Sequence, residues 1–106
     1  MANTFRFKEG DTWPPLTCTL LDADREPVPL SGAQVLLRVS DRHTQQHVMT
    51  VQGVILDGLL ARVRYGWERS LAVGSYSADW LAIFSDGKHS SFPNDEEFFI
   101  EVLHKP

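Results

Sequence analysis

Few side chains in this sequence have the type and spacing that catalysis requires. Cys18 is the single cysteine, and it alternates with Leu16 and Leu20 in an apolar stretch, which is typical of a small core residue rather than a nucleophile. No Gly-x-Ser-x-Gly elbow is present, and no run of glycines precedes a helical pattern as a phosphate loop requires. We therefore predict a protein that is not an enzyme, with no catalytic residue and no cofactor.

Histidines and carboxylates raise the alternative of a metal site. His43 and His47 are four residues apart with Asp41 nearby, but they flank the start of a predicted strand, where this spacing does not place both rings on one face. The acidic stretches 22–26 and 95–97 offer oxygen ligands without the glycine and ligand register of a calcium loop. We interpret these residues as ordinary surface positions and predict no metal.

The three tryptophans differ in their surroundings. Trp80 is in register with Tyr76 in an alternating stretch, which favours a core position. Trp13 and Trp67 lie outside the alternating stretches. They are the candidates for contact with a ligand or partner, because an indole combines a flat apolar face with a polar edge.

Composition limits the class of protein. A chain of 106 residues with 42% hydrophobic residues is expected to form a single folded domain, residues 1–106. No apolar run approaches the roughly 20 residues of a membrane-spanning helix, and the polar N-terminus does not resemble a secretory signal. The net charge of −4 and the scattered basic residues disfavour a nucleic-acid partner. A lone cysteine fits synthesis in a reducing compartment.

Alternation of apolar residues predicts an all-β fold. The clearest example is residues 75–84, where Tyr76, Ala78, Trp80, Ala82 and Phe84 fall on one side. Turn signals recur at intervals close to the 8–12 residues typical of a β-sandwich. The predicted strands, about seven in number, are residues 4–7, 16–21, 34–40, 47–54, 59–65, 75–84 and 98–103.

One segment breaks this pattern. In residues 67–72 the apolar side chains of Trp67, Leu71 and Ala72 follow helical rather than strand spacing. We predict a short helical crossover there, stable only when packed on the sandwich.

Several motifs occur together in a recognisable order. Gly10-Asp11-Thr12 precedes a strand, the stretch PVPLSGAQV covers residues 27–35, and Gly74-Ser75-Tyr76 opens the long strand before Asp86-Gly87-Lys88 and Phe92-Pro93. This order resembles the small immunoglobulin-like domain at the N-terminus of tailed-phage baseplate upper proteins.

The resemblance implies an immunoglobulin-like antiparallel β-sandwich that serves as a non-enzymatic structural or assembly module of a phage or prophage tail. It also implies contacts with other tail proteins or with copies of itself, a homo-oligomer, and a location in the virion after synthesis in the bacterial cytoplasm. A second hypothesis is a small carbohydrate- or ligand-binding sandwich that uses Trp13 and Trp67. A small hydrolase or metalloprotein on the same scaffold is a third.

Overall fold

The computed structural model describes residues 3–11, 15–22, 24–67, 71–92 and 98–104. Within these ranges the protein is all-β, with no helix and thus none suited to cross a membrane. The strands are β1 (Asn3–Lys8), β2 (Leu16–Thr19), β3 (Gln34–Asp41), β4 (His47–Gln52), β5 (Val54–Asp57), β6 (Arg62–Tyr65), β7 (Gly74–Ile83), β8 (His89–Phe92) and β9 (Phe98–Leu103).

The strands form two sheets that pack as a sandwich. The large sheet has six strands in the order β1-β9-β7-β3-β4, with β8 also paired to β7, and the small sheet has the order β2-β6-β5. β3 pairs with β7 along its whole length, whereas β9 and β8 pair with the first and last residues of β7. All pairs are antiparallel except β1 with β9, which is parallel and departs from the predicted antiparallel arrangement.

Side chains from the inner rows of both sheets fill one core. On β7 the predicted inward residues Tyr76, Trp80 and Ala82 are 6%, 1% and 0% exposed, so the predicted alternation is confirmed. Leu16 of β2 and Val63 of β6 contribute from the small sheet and join the same buried cluster. Burial of such apolar surface is the main force that holds the two sheets together.

The described part of the chain contains nine strands rather than about seven, and the two additions have physical causes. The predicted strand 47–54 is divided at Gly53, where the chain leaves the large sheet and continues as β5 in the small sheet. β8 is polar apart from the inward Phe92, so its sequence gives little strand signal.

The predicted strand 59–65 starts later than expected. Leu59, the first residue of this predicted strand, is 80% exposed and lies in a turn. The Asp57 carboxylate accepts hydrogen bonds from the backbone N–H groups of Leu59 and Leu60 at 3.0 and 3.1 Å. Because the carboxylate satisfies these donors within the turn, the strand begins only at Arg62.

The predicted helical crossover at residues 67–72 is wrong. Residues 68–70 lie outside the described residues, but Trp67 has a φ of +61°, which a right-handed helix does not allow. Trp67 and Leu71 are 3% and 5% exposed because both pack into the core. Their spacing therefore reflects the burial of these two side chains.

A hydrogen bond from β7 holds the backbone at Ala72, just before the strand begins. The Tyr76 hydroxyl donates to the Ala72 carbonyl oxygen at 2.6 Å. Burial, followed by the negative charge of Asp41, raises the pKa of Tyr76, so the hydroxyl keeps the proton that it donates.

Gly53 makes the passage between the sheets possible. A Cβ atom at this position would lie 2.5 Å from Trp80 Cζ3 and 3.1 Å from the Arg64 carbonyl oxygen. The Gly53 N–H donates to the Val35 carbonyl oxygen at 2.9 Å, which fixes the bend against β3. The side chain of Trp80 thus occupies the space that any larger residue at position 53 would need.

We expect Gly53→Ala to destabilise the protein by about 1–3 kcal/mol, the usual cost of overpacking a rigid core. Urea unfolding of both proteins measures this difference. Gly58→Ala is the matched control, because a Cβ there meets its nearest atom at 3.6 Å and should change stability little. Equal unfolding midpoints for Gly53→Ala and the unmodified protein would show that Trp80 does not constrain this bend.

Candidate functional site

A polar depression lies on the outer face of the large sheet, where strands β4, β3, β7 and β9 run side by side. Its volume is about 710 Å³, and it is open to solvent. The outer rows of β3 and β7 face each other here, since Arg38 pairs with Asp79 and Ser40 with Ser77. The polar residues of the lining are Arg38, Ser40, Arg42, Gln45, His47, Ser77 and Asp79, and Phe99 adds an aromatic ring.

Arg38 is already bound by its neighbours. Its Nε donates to Asp79 Oδ1 at 2.7 Å, and its Nη2 donates to Asp79 Oδ2 at 2.5 Å. The same Nη2 also donates to Ser91 Oγ at 2.9 Å. The hydrogen bonds to Asp79 hold the pKa of Arg38 above its usual value. Because both side chains are more than one third exposed, this pair contributes little to stability. Its effect is to neutralise one of the two arginines in the lining.

Arg42 is held differently. Its guanidinium carbon lies 3.9 Å from the centre of the Phe99 ring, a cation–π contact. Its Nη1 forms a long ion pair with Glu101 Oε1 at 3.9 Å, a distance too great for a hydrogen bond. Glu101 Oε2 instead accepts a 2.9 Å hydrogen bond from Arg6 Nε. Arg42 is therefore positioned by a ring while its N–H donors keep their capacity to bind a ligand.

The loop after β3 places Arg42 at the edge of the depression. Asp41 Oδ1 accepts hydrogen bonds from the backbone N–H groups of His43 and Thr44 at 2.8 and 2.9 Å. The Arg42 N–H donates to the Ser75 carbonyl oxygen at 3.1 Å, which ties this loop to β7. Hydrogen bonds from Thr44 and His43 lower the pKa of Asp41.

His47 is the one histidine in the lining of this depression. Its Nε2 lies 2.8 Å from Thr50 Oγ1, a pairing that resembles the base and nucleophile of a hydrolase. Among the described residues, no carboxylate is hydrogen-bonded to His47, so the orienting acid of a catalytic triad is missing from this part of the chain. The arrangement is suited to hydrogen bonding with a ligand.

The candidate residues from the sequence lie elsewhere. Trp67 packs in the core, with its ring centre 4.3 Å from that of Phe7 and 5.6 Å from that of Phe5, and this burial argues against the predicted ligand contact. Trp13 lies outside the described residues. The structure does not bring the two tryptophans into one described site.

The alternative metal sites find no support in the described ranges of the chain. These ranges contain no group of three or more histidine, cysteine, aspartate or glutamate side chains that could hold a metal ion. Asp22 Oδ1 instead accepts hydrogen bonds from the backbone N–H groups of Asp24 and Glu26, at 2.8 and 3.0 Å, within a turn. Residues 95–97 lie outside the described ranges.

Sequence reasoning missed Arg38, Arg42 and Asp79 as site residues. The alternation of β3 and β7 assigns Arg38 and Asp79 to outer rows, but their pairing depends on the register of strands 41 positions apart. Arg42 gave no signal, since it belongs to a polar loop and its aromatic partner Phe99 is far away in sequence.

Comparisons with known proteins identify the fold. No protein-family model and no curated protein matches the sequence. The crystal structure of CopC from Methylosinus trichosporium OB3b is similar to this chain, with a TM-score of 0.55 and 12% sequence identity. The match covers 98% of this chain and 87% of that one. The chain therefore shares its all-β fold with that structure.

The predicted role as a phage tail or baseplate module is wrong on this evidence. CopC, the solved structure described above, is not a baseplate protein, and its similarity to this chain supports no virion function. The virion location and the homo-oligomeric state that accompanied this role stay predictions.

We expect Asp41 to titrate below the usual aspartate pKa of about 3.9, since two backbone N–H groups stabilise its charged form. The contribution of this charge to stability is then present at neutral pH and lost as the pH falls through the lowered folded-state pKa. A ¹³C NMR titration of the Asp41 carboxyl measures this pKa. The His43 and Thr44 amide shifts should follow the same transition and lose it in Asp41→Asn. A normal pKa for Asp41 would contradict the role of these hydrogen bonds.

Proposed function

We propose that this protein is a non-catalytic binding module that holds the oxyanion group of a ligand, a carboxylate or a phosphate, in the depression on the large sheet. The observation that carries the proposal is the position of Arg42, fixed over the Phe99 ring without a hydrogen-bonded carboxylate in the described residues. Charge-assisted hydrogen bonds from a guanidinium are among the strongest polar contacts available to such a ligand.

The remaining lining fits this ligand chemistry. Ser40 and Ser77 face each other across β3 and β7 and offer two hydroxyl groups beside the arginine. Asp79 lies in the same lining, but its carboxylate is bound by Arg38 and is therefore less repulsive to an anion. In the lining, Arg38 is therefore hydrogen-bonded to a carboxylate, whereas Arg42 has only a long ion pair with Glu101.

Several expectations accompany this proposal. As predicted from the sequence, we propose that the protein has no catalytic residue and no resident cofactor. The polar lining of the depression is consistent with the binding of a polar ligand. The immunoglobulin-like topology also belongs here as a proposal. The supporting observation is the sandwich of two sheets with a mainly antiparallel pairing pattern.

The test is an NMR titration of the ¹⁵N-labelled protein with inorganic phosphate, acetate and glucose. We expect saturable shifts of the Ser40, Arg42 and Ser77 amides with phosphate or acetate and none with glucose. Arg42→Gln should reduce the affinity about tenfold, as the loss of one charge-assisted contact predicts.

Arg64→Gln is the control for this titration, because Arg64 is an exposed arginine on the small sheet. The shifts of Ser40 and Ser77 should be the same in this variant as in the unmodified protein. Unsaturable shifts spread over the whole surface, or full binding by Arg42→Gln, would refute the oxyanion site. A response to glucose alone would favour a carbohydrate ligand instead.

A further inference from the structure

The outer face of the small sheet carries three parallel stripes of different chemistry. Inward residues such as Val63 fill the core, so the alternate residues of each strand point away from it. The registers place Thr17 and Val54 opposite Arg64, and a register shift between Ile55 and Asp57 places Asp57, rather than Leu56, opposite Arg62. The stripes are Thr17 and Thr19 on β2, Arg62 and Arg64 on β6, and Val54 and Leu56 on β5.

β5 is an open edge of this sheet. It pairs with β6 on one side, and in the described ranges no strand pairs with its other side. At the two edges, the hydrogen bonds between described residues occur beyond the strand ends: Val28 N–H donates to the Leu20 carbonyl oxygen at 3.1 Å beyond β2, and Leu30 N–H donates to the Gly58 carbonyl oxygen at 2.9 Å beyond β5. An open strand edge presents alternate N–H and C=O groups that a further strand can bind.

Apolar exposure is concentrated at this same edge. Val54 and Leu56 are 48% and 49% exposed, and Leu59 and Leu60 in the following turn are 80% and 46% exposed. Seven large apolar side chains are exposed within the described ranges, and these are four of them. A partner strand at β5 would remove much of this apolar surface from water.

The two arginines beside this edge are not bound to a carboxylate in the described part of the chain. Asp57 lies opposite Arg62, but its carboxylate accepts hydrogen bonds from the Leu59 and Leu60 N–H groups. On the large sheet, Arg6 and Arg38 both bind carboxylates, namely those of Glu101 and Asp79. Arg62 and Arg64, by contrast, form no ion pair with any described residue. Two exposed guanidinium groups on one strand face repel each other unless a carboxylate binds between or beside them.

We propose that β5 is a docking edge for an extended acidic segment of a partner protein. The segment adds to the small sheet as a fourth strand, with its backbone hydrogen-bonded to β5. Its alternate acidic side chains lie on the outer face and bind Arg62 and Arg64 across the stripe formed by Val54 and Leu56.

The spacing of strands permits this contact. The added strand lies two strand spacings from β6, roughly 9.6 Å, because neighbouring strands are about 4.8 Å apart. An extended arginine and a glutamate that reach toward each other bridge such a distance over the side chains of β5. The segment therefore gains backbone hydrogen bonds, apolar contact and two ion pairs at one edge.

A second copy of this chain fits the same edge less well. Pairing of two β5 strands would bury the Val54 and Leu56 stripes of both copies. The one carboxylate that β5 would bring to this edge is that of Asp57, which already accepts hydrogen bonds within its own turn. Charge complementarity therefore favours an acidic segment. The overall charge of −4 gives this segment no long-range attraction, so binding depends on the local contacts.

The test uses the blocked peptide acetyl-Glu-Val-Glu-Val-Glu-Val-Glu-Val-amide and ¹⁵N-labelled protein. We expect the peptide to shift the β5 resonances and to slow hydrogen exchange of the outward β5 amides, with an affinity that falls as salt is added. Changing Arg62 and Arg64 together to Gln should weaken binding about tenfold, the sum expected for two exposed ion pairs.

Two controls separate charge from strand addition. Lys8→Gln removes an exposed cation from β1 at an edge of the large sheet and should leave the affinity unchanged. A peptide with N-methyl groups on alternate residues keeps its carboxylates but cannot complete the backbone ladder, so it should fail to bind to the unmodified protein. This second control does not depend on the folding of any variant.

Three results would overturn the proposal. Equal binding of the N-methylated peptide would show attraction by charge alone. Protection of β1 or β4 instead of β5 would place the docking edge on the large sheet. Dimerisation of the protein through β5, with no peptide binding, would identify a second copy as the occupant.

Discussion

The contact between Trp80 and Gly53 is the constraint on which the rest of the structure depends. Trp80 is 1% exposed and extends from β7 to the point where the chain passes from the large sheet to the small one. Its indole N–H forms no well-aligned hydrogen bond with a described residue. Burial raises the pKa of the Cys18 thiol, and the nearby indole N–H offsets only part of this rise. Packing, rather than polar contact, therefore holds Trp80 in place. The bend at Gly53 then makes β4 and β5 edge strands of different sheets.

Filling the core with the inner rows leaves the two outer faces free to differ in chemistry. On the large sheet, Arg6 of β1 and Arg38 of β3 bind carboxylates on the neighbouring strands β9 and β7, and Arg42 is held by an aromatic ring. On the small sheet, Arg62 and Arg64 lie between hydroxyl and apolar stripes and form no ion pair with a described residue, although Asp57 lies opposite Arg62. The same fold thus presents a site for a small anionic group on one side and an edge for an acidic chain on the other.

Sequence periodicity predicted the sandwich because each inner row is a simple alternation, as the buried Ile100 and Val102 of β9 illustrate. It failed where a local pattern had a tertiary cause. Trp67 and Leu71 have helical spacing because both pack into the core, although the φ of Trp67 is not helical. In the sequence, Gly53 lies within a predicted strand, and only the structure shows that Trp80 leaves no space for a side chain there. The candidate site was beyond reach because Arg42 meets Phe99 only after β9 is placed next to β7.

The two proposed surfaces lie on opposite outer faces of the sandwich, so a ligand at Arg42 does not occupy the space needed by a strand at β5. They are linked through the chain, since His47 lines the depression and the same chain continues through Gly53 into β5. A rigid bend at Gly53 keeps each surface in its own sheet, because movement of this bend would require Trp80 to leave its buried position. Tight packing therefore favours independent binding at the two surfaces rather than transmission of a change from one to the other.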